Sequence, residues 1–70
     1  MRYTIIIERG EKSFGAYVPD LPGCAATAGT EREVLKLIRE GIEIYVTELK
    51  SRGEPVPKPS SRSAEIEIRL

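Results

Sequence analysis

The chain has 70 residues and a mass of 7.8 kDa, 40% of it hydrophobic and 31% charged, which is a globular composition at single-domain size. Lys+Arg and Asp+Glu both number 11, for a formal charge of zero, so the chain lacks the basic excess by which nucleic-acid modules neutralise phosphates. It has no histidine and one cysteine, which excludes an internal disulfide, imidazole metal ligands and Ser-His-Asp or Cys-His nucleophile pairs.

A domain this small buries only about 60% of the surface its unfolded chain exposes. With neither disulfide nor metal to help, self-association is the remaining common source of stability, and a homo-oligomer is expected. The longest apolar run near the N-terminus, Ile5-Ile6-Ile7, is far shorter than a signal-peptide core or a membrane span. A cytoplasmic location without membrane contact is therefore expected, with Cys24 kept as a thiol.

In chain order, Arg2 to Arg9 is rich in β-branched residues and reads as a strand, with Tyr3, Ile5 and Ile7 on one face and Thr4, Ile6 and Glu8 on the other. Gly10-Glu11-Lys12 supplies turn chemistry. Ser13 to Val18 reads as a second strand, Phe14, Ala16 and Val18 on one face and Gly15 and Tyr17 on the other. The short connection predicts an antiparallel hairpin. Pro19-Asp20-Leu21-Pro22-Gly23 is a stiff loop, since two prolines fix φ and Gly23 admits a positive one. Cys24 to Ala28 is small and apolar enough to return as a closely packed third strand.

Thr30-Glu31-Arg32-Glu33 has capping-box spacing, with acidic residues where the helix dipole favours them. The helix should run to about Arg52 and stop at Gly53. Val34, Leu35, Ile38, Gly41, Ile42, Tyr45, Val46 and Leu49 form its apolar stripe. Leu37 and Ile44 flank that stripe one heptad apart, either as the edge of the same core or as a contact surface for another chain. The prolines of Glu54 to Ser61 require an extended segment. Beyond it, Ala64, Ile66, Ile68 and Leu70 alternate with Glu65, Glu67 and Arg69, the pattern of a half-buried strand.

The expected architecture is thus α+β, in the order β-β-β-α-β, as a single domain over residues 1–70 with no separate DNA-binding domain. It combines a three-stranded antiparallel meander, one long helix on one sheet face, and a C-terminal strand brought in parallel beside the first by a right-handed crossover. Nothing in the sequence covers the second face, where Ile6 and Tyr17 lie, although exposed antiparallel faces are normally polar. Another subunit or partner is expected there, with Ile6, Leu37 and Ile44 as candidate oligomer contacts.

The residue chemistry points away from catalysis. Cys24 has no base to activate it and reads as a small packed thiol. The pairs Glu40/Glu43 and Glu65/Glu67 fall on solvent faces. The six glycines form no phosphate-binding pattern. Tyr3 and Phe14 share the helix side, which leaves Tyr17 without an aromatic neighbour for base stacking. Asp20, held between prolines, either caps its own loop through downstream amides or serves a partner. No cofactor and no metal are expected.

The run Tyr3-Thr4-Ile5-Ile6-Ile7-Glu8, the strand Gly15-Ala16-Tyr17-Val18 leading into Pro19-Asp20-Leu21-Pro22-Gly23-Cys24, the segment Gly29-Thr30-Glu31-Arg32-Glu33 before a long helix, and the exit Gly53-Glu54-Pro55-Val56-Pro57-Lys58-Pro59-Ser60 together resemble the N-terminal domain of the HicB antitoxin family. The resemblance covers essentially the whole chain. It implies a β-β-β-α-β fold likened to a truncated ribonuclease H, a habit of oligomerising, and a role in binding and silencing a small mRNA-cleaving toxin of the HicA type. It does not imply nuclease activity, because that chemistry needs several carboxylates around two metal ions and the first strand offers only Glu8. Typical full-length antitoxins continue into a DNA-binding segment, whereas this sequence stops at Leu70, so direct nucleic-acid binding is not expected. Tyr17, Asp20, Leu21 and Pro22 are the candidate partner contacts, since a rigid loop loses little entropy on docking. The alternative is a stand-alone, non-catalytic oligomerisation or adaptor domain without a toxin partner. A nuclease using Glu8 and Asp20 with magnesium is a third, remote reading.

Overall fold

The computed structural model describes residues Met1–Leu70. Strands β1 (Ile6–Arg9), β2 (Phe14–Tyr17) and β3 (Ala25–Ala28) precede one helix, α1 (Glu31–Ser51). The sheet order is β1-β2-β3, both pairs antiparallel, so the meander forms as the sequence predicts.

Register fixes which side chains share a face, because directly opposed residues point the same way. Ile7 pairs with Ala16 and Ala16 with Ala26, while Ile6 pairs with Tyr17 and Tyr17 with Ala25. Ala16 is buried beneath the helix, so its row is the covered face and the Ile6–Tyr17–Ala25 row is the open one. Small residues at Ala16, Ala26 and Ala28 let α1 approach β2 and β3 closely.

The helix begins as expected. Thr30 Oγ1 accepts a bond from the Glu33 amide at 3.1 Å, and Glu31 and Glu33 occupy the first turn. The reciprocal bond, in which the Thr30 amide would donate to the Glu33 carboxylate, is not formed. At the other end Gly53 takes φ +71°, and the amide of Glu54 reaches back to the Leu49 carbonyl at 2.9 Å. That pattern closes the last turn and turns the chain away.

Six side chains form the buried core: Ala16, Val18, Leu21, Cys24, Val34 and Ile38. Tyr3, Ile5, Phe14, Ala26, Ala28, Ile42 and Tyr45 pack around them, half-buried. Because α1 lies over β2 and β3, Leu35 of the predicted stripe and Ile7 on the covered face stay partly open to water.

The expected C-terminal strand does not form within the chain. Residues 54–70 carry no regular structure, and Ile66 and Ile68 remain 81% and 68% exposed. The dimensions agree. The radius of gyration is 13.9 Å, against about 11 Å for a compact domain of this length. The longest axis is 49 Å, well beyond the roughly 31 Å of a 21-residue helix. Alternation in sequence guarantees two unlike faces but not a neighbouring strand to pair with.

Candidate interaction loop

The segment between β2 and β3 is two turns in succession. The Leu21 amide donates to the Val18 carbonyl at 3.0 Å, the Cys24 amide donates to the Leu21 carbonyl at 3.0 Å, and the Val18 amide closes the loop on the Cys24 carbonyl at 3.1 Å. In the first turn Pro19 takes the second position, where its fixed φ fits. In the second, Pro22 is followed by Gly23 at φ +82°, a conformation that turn requires and side chains resist.

Leu21, between the two turns, points inward and is 0% exposed. This corrects its expected place among the partner contacts. A side chain wholly enclosed with Val34 and Ile38 anchors the loop and presents nothing outward. Cys24 is also buried, and that burial pushes its thiol pKa up, so it stays protonated and packs against α1.

The loop is clamped on both flanks. Tyr45 of α1 donates its hydroxyl to the Pro22 carbonyl at 3.0 Å. Opposite, the Asp20 carboxylate accepts four bonds from a segment forty residues away. Ser60 and Ser61 donate their amides to Oδ2 at 2.9 and 3.0 Å, and their hydroxyls to Oδ1 at 3.0 and 2.7 Å. These donors, the Ser61 amide first, hold the Asp20 pKa down at about 2 from an ordinary 3.8, because each stabilises the charged form. Asp20 therefore does not cap its own loop. It ties the Pro-rich exit to the loop.

Two further bonds secure that exit. The Tyr3 hydroxyl donates to the Pro57 carbonyl at 2.6 Å, and the Thr4 hydroxyl to the Ser61 carbonyl at 2.7 Å. Sequence reasoning missed Ser60, Ser61, Thr4 and Tyr45 as loop supports. The available signal was an acceptor-only side chain fixed between prolines and a Ser-Ser pair straight after a Pro-rich run, and nothing local links the two.

The outward residues are Tyr17, which is 41% exposed at the mouth of the loop, with Pro19, Pro22 and Gly23. Tyr17 continues onto the open sheet face through Ile6 and Ala25. Of the expected oligomer contacts, Ile6 lies on that open face, whereas Leu37 and Ile44 are exposed on α1, which packs on the other. The structure does not bring these three together. No three His, Cys, Asp or Glu side chains gather in a way that could hold a metal ion, and no helix is long and apolar enough to cross a membrane.

This geometry has known relatives. The family described as the HicB_like antitoxin of bacterial toxin-antitoxin systems matches residues 3–67. The UPF0150 protein Ta0767 of Thermoplasma acidophilum is 37% identical over 62 residues, covering 87% of this chain and 90% of its own length. A UPF0150 protein of Archaeoglobus fulgidus is 36% identical over 55 residues, 77% of this chain and 78% of its own. Among solved structures, a chain of the HicA3 and HicB3 toxin-antitoxin complex superposes with a TM-score of 0.71 at 28% identity, covering 86% of this chain and 70% of that one. With the family matched from Tyr3 to Glu67 and the meander, loop and helix in place, the chain belongs to the HicB_like antitoxin family.

Proposed function

We propose that this chain is the antitoxin of a type II toxin–antitoxin pair, binding a small HicA-type mRNA-cleaving toxin and covering its active site. The observation that carries the reading is its likeness, over 86% of its length, to a chain of a toxin–antitoxin complex. In this reading the chain is not an enzyme, acts in the cytoplasm, contacts no nucleic acid directly, and assembles with itself. Tyr17 and Pro22 contact the toxin. Asp20 acts behind them by holding the loop, and Leu21 by filling the core beneath it.

The physical support is preorganisation. A loop fixed by two prolines, two turns and clamps on both flanks loses little freedom when it docks, so contact energy is retained as affinity. An exposed tyrosine beside it is a side chain of the kind that dominates interface energetics.

The test is co-expression with a small HicA-type toxin, followed by pull-down and growth assay. The expected result is a stable complex and rescue of toxin-arrested cells. Absence of both would refute the antitoxin reading and leave the adaptor alternative.

A further inference from the structure

One flank of α1 carries two rows of side chains that the sheet leaves partly uncovered. At helical spacing, Leu35, Ile42 and Val46 form an apolar row, and Lys36, Arg39 and Glu43 form a charged row outside it. Leu35 and Ile42, with Ile5, make the floor of a groove of about 660 Å³, and the charged row makes its rim. A second hollow of about 350 Å³ continues past Ile42 to Val46 and Met1. Pro57 and Ser61, which Tyr3 and Thr4 hold, line neither hollow.

The C-terminal tail carries the same two rows in extended form. Ile66, Ile68 and Leu70 are among the most exposed aliphatic side chains of the protein, and Glu65, Glu67 and Arg69 alternate with them. Two residues of extended chain advance about 6.6 Å, close to the roughly 4.5–6 Å between successive members of the charged row on α1. With the tail parallel to α1 and Glu67 set at Arg39, Glu65 falls at Lys36 and Arg69 at Glu43. Ile66, Ile68 and Leu70 then fall at Leu35, Ile42 and Val46, and every position agrees within about 3 Å. In the opposite direction Arg69 would meet Lys36 and Glu65 would meet Glu43, like charge against like. A chain's own tail runs in that unfavourable direction. Its exit climbs from Tyr3, which holds Pro57, to Thr4, which holds Ser61, so it follows β1. Strand β1 is parallel to β3, and α1 folds back over β3 with Gly41 against Cys24.

We propose that this groove on α1 seats the tail of a second copy of the chain, and that two copies seat each other's tails in this way. This rests on the reading that the chain assembles with itself, and names the surface that does so. Three aliphatic side chains per tail leave water and supply the attraction, while the rim charges fix direction and partner. Arg39 and Glu43 face each other at 3.6 Å with both side chains largely exposed. Such a pair contributes little, so both charges are free to meet the tail.

The experiment has two arms. In the first, sedimentation velocity compares the full wild-type chain with Arg39→Glu, Glu67→Arg and an equimolar mixture of the two variants. Both positions are exposed, so the protomer keeps its fold. In either variant alone, like charges meet in both grooves of the dimer, and dimerisation should weaken roughly tenfold. In the mixture each groove meets a tail of opposite charge, so a heterodimer as tight as the wild-type dimer is expected. In the second arm, Leu35→Cys protein is mixed with Ile66→Cys protein carrying a mass tag, oxidised, and mapped by mass spectrometry. Packed side chains at these positions lie within disulfide reach, so a 35–66 link between chains is expected. Single variants that dimerise like wild type, a mixture that stays weak, or 66–66 links without a 35–66 link overturn the groove seat and leave self-association intact. A wild-type monomer at micromolar concentration overturns both.

Discussion

Leu21→Ala separates a loop that is packed from one that is merely stiff. Leu21 is 0% exposed and shares the core with only five other buried side chains. Truncation removes three carbons, and at about 0.8 kcal/mol per buried methylene the transfer loss alone is roughly 2.4 kcal/mol. The cavity adds to this, because Val34 and Ile38 sit on a helix that cannot collapse into the space, so a total of about 3–4 kcal/mol is expected. A chain of 70 residues has only about 4–10 kcal/mol of stability in all. At this size 1 kcal/mol moves Tm by about 4–8 °C, so Tm should fall by more than 10 °C. Urea unfolding followed by far-UV circular dichroism, at one protein concentration for both proteins, measures the difference. A loss below about 1 kcal/mol would show that the loop does not seal the core, and the account of Leu21 as its anchor would be wrong.

Other substitutions probe the remaining links. Asp20→Asn replaces an acceptor oxygen with a donor facing Ser amides. Because the Asp20 pKa is about 2 when folded and 3.8 ordinarily, the unfolded chain binds the extra proton first on acidification. Its stabilisation is complete above about pH 4 and lost as pH falls toward 2. The variant should lose that part of the pH dependence, and an unchanged slope of stability between pH 4 and 2 would contradict the clasp. Tyr17→Ala should change the stability of the free chain by less than about 1 kcal/mol, since the side chain is partly exposed. It should weaken toxin binding at least tenfold by calorimetry, and equal affinity would remove Tyr17 from the interface. Gly41→Ala should stabilise the protein by about 0.5–1 kcal/mol through helix propensity, because the added Cβ meets only Cys24 Sγ at an ordinary 3.7 Å. Thermal melts showing a loss instead would mean that the contact between α1 and Cys24 is tighter than described.

Much of this fold is legible because its signals are local. The Thr30 cap, the Gly53 stop, the Pro22-Gly23 turn and the two-faced strands each depend on residues within a few positions of one another, and each forms. The C-terminal strand does not form within the chain for a related reason. Alternation from Ala64 to Leu70 specifies an amphipathic strand without specifying whose sheet it joins. The Asp20 clasp was invisible because its partners lie forty residues on. Leu21 looked like a contact because a leucine flanked by turn residues gives no sign of pointing inward. Short-range chemistry could be deduced from the sequence, whereas the pairing of distant polar groups could not.

The six enclosed side chains all fall between Ala16 and Ile38. The sheet, the loop and the first two turns of the helix are thus made before the final 32 residues, 39–70. As the polypeptide emerges from the ribosome, its interior can condense early on contacts between near neighbours, the kind that form fastest. The later residues then arrive at a body whose interior is already set, and through Tyr45, Ser60 and Ser61 they lock its loop in place.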